Sequence, residues 1–149
     1  MGKIIIRKPH HNEYDDWIKI YKEYLDFYQT SLTTEELKTV WSWISKPNPE
    51  LFCYLAEFDK KIVGLAHFRK FIRPIKSCHS IFLDDLFVVS ELRGQRIGYR
   101  LIEAVKIYAK ENNFPLVRWV TGHDNTQAMK LYDSIAQKTT WVIYDANII

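Results

Sequence analysis

The sequence predicts a mixed α/β (α+β) fold, in which helices pack against a mixed sheet. Three observations lead there. Two stretches near the N-terminus carry apolar residues at helical spacing. Three apolar runs in the middle, divided by turn residues, read as strands. Helix and strand signals then alternate to the end. At 149 residues the chain has the size of one domain, taken as 1–149, and can bury a sizeable core. Apolar residues at 47% and charged residues at 26% fit a globular chain.

Each element has its own signal. Ile4–Arg7 reads as a short strand. Trp17, Tyr21, Tyr24 and Tyr28 recur at helical spacing, with Ile20 and Leu25 beside them. Thr33 or Thr34 can cap a second helix carrying Leu37, Val40, Trp41 and Ile44, which stops before Pro47. Phe52–Phe58 reads as a strand, Asp59–Lys61 as a turn and Ile62–Phe71 as the antiparallel partner. Ser80–Val89 is apolar on both faces, as in the middle of a sheet. The next helix places Ile97, Leu101, Ile102, Val105 and Tyr108 on one side, and ends near Asn112 and Asn113, before Pro115. Leu116–Thr121 is a further strand. Asp124, with Gln127 three residues on, is a capping box for a last helix with Ala128, Leu131, Tyr132 and Ile135 on one face. Thr140–Tyr144 closes the order as a strand.

Composition excludes several classes. A net charge of +3, with basic residues spread along the chain, argues against a nucleic-acid-binding module. The apolar run Ile4–Ile6 is far too short for a signal peptide or a membrane span, so a soluble cytoplasmic protein is expected. Cys53 and Cys78 lie in or beside apolar runs and read as small buried thiols. His10, His11, His67 and His79 show no ligand spacing, so no metal site is expected. Nine Tyr, eight Phe and five Trp predict aromatic-lined surfaces.

Three stretches carry chemistry. The turn Arg93-Gly94-Gln95-Arg96-Ile97-Gly98 opens a helix without Ser, Thr or Asp as a cap. It is either a solvated connection or a loop whose free N–H groups meet an anion at the positive end of the helix dipole. Asp84 and Asp85 interrupt an apolar strand, where an unpaired charge costs several kcal/mol, on the order of 3 or more. They point to opposite faces unless a bulge re-aims one of them. Either one Asp pairs with an Arg while the other meets solvent, or one serves as a base or a clamp for a cationic substrate. Asn125 lies near a helix start and Tyr132 on that helix's apolar face, where a tyrosine also serves as core.

Together, LDDLFVVSELRGQRIGYRLI and NTQAMKLYD resemble the GCN5-related N-acetyltransferase (GNAT) superfamily. Its signature is Gln/Arg-x-x-Gly-x-Gly/Ala opening a helix, then Asn-x-x-Ala-x-x-Leu/Phe-Tyr on the next helix. This chain supplies Arg93 and Gly98, then Asn125, Ala128, Leu131 and Tyr132. It departs at the middle glycine, where Arg96 stands. In layout it is similar to the small histone- and polyamine-type (spermidine/spermine) enzymes.

The resemblance implies a GNAT-type mixed, mostly antiparallel sheet with a splayed strand pair and helices on both faces. Acetyl-CoA is the implied co-substrate. Its pantetheine arm would pair with main-chain groups of Leu86, Phe87 and Val88. Its pyrophosphate would rest on N–H groups of Arg93, Gly94, Gln95, Arg96, Ile97, Gly98 and Tyr99, with Asn125 and Tyr132 near the reactive end. Asp84 is the implied base and Tyr132 the acid for the CoA thiolate, in direct transfer without a metal. Asp84, Asp85, Glu23, Tyr24 and Tyr28 are the expected acceptor contacts. One of Trp41 and Trp43 is expected in the core and the other at the acceptor mouth, while His123 is either a proton relay or an exposed loop residue. The acceptor is a polyamine or other small alkyl amine, an amino acid, or a protein lysine. A CoA-binding sensor without catalysis is the alternative, and the apolar C-terminal TWVIYDANII offers a surface for a homodimer.

Overall fold

A computed structural model describes residues 2–149. Its order is β1 (Ile4–Arg7), α1 (Tyr14–Phe27), α2 (Thr34–Ser45), β2 (Phe52–Phe58), β3 (Lys61–Arg73), β4 (Cys78–Val88), α3 (Ile97–Glu111), β5 (Val117–Arg118) and α4 (Thr126–Ile135). Short 3-10 turns follow β3 and β4, at Pro74–Lys76 and Ser90–Leu92. The five strands lie in sequence order, antiparallel except for the parallel β4–β5 pair. The chain forms two compact units, one ending at Trp119 and the other running from Val120 to Ile149.

In the first unit, strand alternation divides two cores. Cys53, Leu55, Leu65 and Phe87 join Trp17, Ile20, Tyr21, Leu25, Leu37 and Ile44 beneath α1 and α2. Phe52 of β2 and Phe68 of β3 turn the other way, so Phe68 meets Tyr108 of α3 edge-on, with ring centroids 5.3 Å apart. The sheet therefore carries helices on both faces, as the mixed fold requires. Gly64 permits this packing: a Cβ there would lie 2.8 Å from the Phe87 carbonyl oxygen. α2 is capped by Thr33, whose hydroxyl accepts from the Glu36 N–H while Glu36 accepts from the Thr33 N–H, a complete capping box. The aromatic stripe of α1 runs from the fully buried Trp17 to the exposed Tyr28. No described helix is long and apolar enough to cross a membrane.

β3 takes in Lys61 of the expected turn and runs on to Arg73, β4 covers Cys78–Val88 where Ser80–Val89 is expected, and three further features differ from expectation. Only Val117–Arg118 of the anticipated Leu116–Thr121 strand pairs with β4, opposite Ile81 and Phe82. α4 starts at Thr126, one residue later than the Asp124 capping box requires, because Asn125 stands at the cap position and turns its amide to the Thr121 hydroxyl, 3.1 Å away. Thr140–Tyr144 forms no strand. Its β-propensity finds no neighbour to pair with, and Trp141 and Tyr144 stand almost fully exposed.

Candidate active site

The centre of β4 is built around a bulge. His67 pairs with Asp85 but Phe68 pairs with Leu83, so Asp84 is the extra residue on β4. Arg69 lies two residues from His67 on β3 and projects to the same face, and Asp84 reaches it: Arg69 Nε donates to both Asp84 oxygens, at 3.2 and 2.9 Å. The bulge thus puts both carboxylates on the α1 side of the sheet. Here one anticipated exception to simple alternation is realised.

The two aspartates have different surroundings. Asp85 accepts from the Tyr24 hydroxyl at 2.7 Å, the His67 Nδ1 at 2.8 Å and the Tyr21 hydroxyl at 3.4 Å. Burial pushes its carboxyl up, but these donors, His67 first, outweigh it and hold Asp85 below the usual carboxylate range. Asp84 is more open. Burial raises its carboxyl above the usual range; Arg69 opposes that shift and the neighbouring Asp85 charge adds to it. Behind Asp85, the fully buried His67 takes a hydrogen bond from the Trp17 indole N–H at 3.0 Å.

The β4 edge facing β5 opens beyond Phe82. Val89 N–H donates to Val63 O, and Leu65 lies opposite Phe87, so Phe87 directs its main-chain groups to β3. Leu86 and Val88 direct theirs to the open edge, and of these the Val88 carbonyl already accepts from Arg93 Nε at 3.1 Å. Of the three residues expected to offer main-chain groups, Phe87 is therefore turned away, with its side chain in the core.

The following loop explains its unusual composition. Gly94 has φ of 84°, with nothing within 4 Å of a Cβ added to it. Arg96 takes φ of 63°, a left-handed conformation costly for a residue with a Cβ, and offers α3 no side-chain cap. The first intrahelical bond runs from Arg100 N–H to Arg96 O, leaving the N–H groups of Ile97, Gly98 and Tyr99 without helical partners. The guanidinium of Arg96 stacks on the Tyr99 ring at 4.3 Å. Arg93 turns back over Phe27 and Phe87, at 5.0 and 5.5 Å from their centroids. An open, uncapped helix start and unpaired strand amides fit a ligand with a phosphate end and an amide-bearing arm.

Other expected contacts are dispersed. Glu23 lies between Tyr21 and Tyr24 in sequence but on another side of α1, and lines a separate hollow of about 700 Å³ with Arg7, Lys19, Lys61 and Glu91. Tyr28 is 52% exposed, with its ring 5.0 Å from Tyr24. Trp41 packs against Trp17 while Trp43 is exposed. In the second unit, Ala128, Leu131, Tyr132 and Ile135 share the half-buried face of α4, Asn125 precedes it, and His123 is exposed. Sequence reasoning missed Trp17, Tyr21, His67 and Arg69. The available signals were a histidine inside the apolar run GLAHF and an arginine two residues on.

The chain matches the profile of the Acetyltransferase (GNAT) family over residues 17–136 and belongs to that family. It is an acetyl-CoA-dependent N-acetyltransferase, transferring acetyl to an amine. It is 31% identical over 148 residues to the D-amino-acid N-acetyltransferase HPA3 of Saccharomyces cerevisiae, covering 97% of this chain and 91% of that one. It is 28% identical to the probable N-acetyltransferase camello of Xenopus laevis, over 85% of this chain and 55% of the other. In fold it is similar to the aminoglycoside N-acetyltransferase AAC(6')-Iy solved in complex with CoA, with a TM-score of 0.86, 18% identity, and coverage of 100% and 97% of the two chains.

Proposed function

We propose that the acceptor is a free α-amino acid, acetylated on its amino nitrogen. The observation that carries this reading is the pairing of Arg69 with Asp84 beside Asp85. A zwitterion offers an ammonium and a carboxylate about 3 Å apart, and this cluster offers a matching guanidinium and carboxylates. A polyamine would bring a second cation against Arg69. Support also comes from the similarity to a D-amino-acid N-acetyltransferase.

In this reading Asp85, held ionised by three donors, anchors the ammonium, and Asp84 takes its proton. An ammonium has no lone pair, so deprotonation must precede attack on the thioester carbonyl. Nitrogen then bonds to the carbonyl carbon, and the Leu86 N–H, directed to the open edge, donates to the oxyanion, a contact worth about 3 kcal/mol. As the carbon–sulfur bond breaks, Tyr132, assigned this role through the motif it completes, protonates the thiolate, and the nitrogen gives up its second proton, which restores the Tyr132 phenol, leaving a neutral amide. The N–H groups of Gly94 through Tyr99 hold the pyrophosphate, with Arg93, Asn125 and the Val88 carbonyl assisting along the arm. The family match across 17–136 supports reading 1–149 as one N-acetyltransferase domain.

CoA release should be measured with D- and L-amino acids, their decarboxylated amines, spermidine and lysine peptides. Amino acids are expected to be the preferred acceptors. Arg69→Ala should raise KM about tenfold for an amino acid and leave the matching decarboxylated amine nearly unaffected. Equal effects on both would remove Arg69 from carboxylate recognition. We also propose a homodimer through the C-terminal segment, supported by the exposed Trp141, Val142, Ile143 and Tyr144. Light scattering should give twice the chain mass, and the monomer mass after Trp141→Ser and Tyr144→Ser. A monomeric parent chain would exclude it.

A further inference from the structure

Behind Asp85, the steps above give the hydrogen bond from Trp17 to His67 no role of its own, although Trp17 and His67 are fully buried. An indole N–H only donates. The His67 Nε2 facing it therefore presents a lone pair, and the ring N–H lies on Nδ1, 2.8 Å from Asp85 Oδ2. The indole selects the tautomer, and the tautomer gives Asp85 a donor where a second lone pair would repel it. Trp17 is held in place by the rings of Tyr21 and Trp41, each with its centroid 5.2 Å away, and Tyr21 stands edge-on to His67 at 4.8 Å. A carboxylate has about four acceptor directions. Three donors fill Asp85 from the protein side, and its side chain keeps 19% exposure for a fourth.

We infer that Trp17 and His67 are positioning residues of the acceptor site. They fix Asp85 as an immobile anchor for the acceptor's ammonium, because the Trp17 N–H holds the His67 ring with its own N–H directed at Asp85. The inference rests on the reading of Asp85 as ammonium anchor. The titratable groups around His67 are Asp84 and Asp85 of β4, Tyr21 and Tyr24 of α1, and Cys53, opposite His67 on β2. Burial pushes both hydroxyls and the thiol upward, so none of these three titrates between about pH 6 and 8.

The test is KM for the amino acid against kcat, measured on the full chain. In Trp17→Phe, Nε2 loses its donor and the ring is free to carry its N–H on Nε2, away from Asp85. KM should then rise about tenfold, with kcat changed far less, and Trp17→Phe should add little once His67→Asn is present. His67→Leu should raise KM about tenfold at every pH. His67→Asn, whose amide nitrogen takes the place of Nδ1, should recover most of that loss. An unchanged KM in a Trp17→Phe protein with native near-ultraviolet circular dichroism overturns the inference. Should Trp17→Phe fail to fold, equal KM values for His67→Leu and His67→Asn overturn it instead. Asp85→Asn separates the two levels: unchanged amine binding there sinks the anchor reading itself. Lost binding there, with His67→Leu and Trp17→Phe unchanged, sinks only the positioning role.

Discussion

Asp84 and Asp85 are adjacent in sequence and opposite in character. Three donors hold Asp85 below the usual carboxylate range, while burial lifts Asp84 above it. A base works only when ionised, so kcat/KM should fall as pH drops through the raised value of Asp84. Asp84→Asn should lose that acid limb and about 100-fold in kcat, while Tyr132→Phe should lower kcat and leave acetyl-CoA affinity intact, as read by calorimetry. A retained limb in Asp84→Asn would move the base to another group. The sequence made the aspartate pair conspicuous because charge inside an apolar strand demands a partner. It could not name the partners, since Arg69, His67, Tyr21 and Tyr24 are 15 to 64 positions away and meet it only once β3 pairs with β4 and α1 packs on the sheet.

At the scale of elements, local signals were legible wherever the chemistry was local. Phe52–Phe58 matched the expected strand because its turn residues and apolar run adjoin each other. Thr33 was one of two candidate caps, and the Glu36 reciprocal bond decides between them. Thr33→Ala should lower stability by about 1 kcal/mol in urea titration without altering KM, and no loss would mean that α2 is held by its packing alone. The C-terminal strand failed for a corresponding reason. TWVIY has strand propensity, but a strand exists only where another strand lies beside it, and propensity carries no information about that. β5 is short for the same reason, its pairing ending at Phe82.

Over the whole molecule, the first unit is tied at one corner by Arg7 of β1. Its guanidinium donates to both Glu13 oxygens, each at 2.8 Å, and to Glu57 of β2. The Arg7 hydrogen bond outweighs burial and holds the Glu13 carboxyl at about 2, down from 4.5. A folded value below the unfolded one gives stability present above the unfolded pKa and lost as pH falls toward the folded one. Acid should therefore remove this contribution between about pH 4.5 and 2, and Glu13→Gln should cost about 1–2 kcal/mol at pH 7 and little at pH 2.5. Denaturant melts at both pH values check the sign, and a larger loss in acid would contradict it.

The sequence by itself determined the mixed fold class, the order of elements through α4 and the family, because periodicity, turn chemistry and the paired motifs are local properties of the chain. It also marked Arg96 as a residue standing where the family has glycine. Only the tertiary structure decided what Arg96 does: its backbone takes the left-handed turn while its guanidinium stacks on Tyr99. Only the tertiary structure placed Asp84 and Asp85 on one face, through a bulge whose register is set by β3. And only there did His67 acquire a partner on each nitrogen, because hydrogen bonds between residues 18 and 50 positions apart exist only once the sheet and α1 have packed.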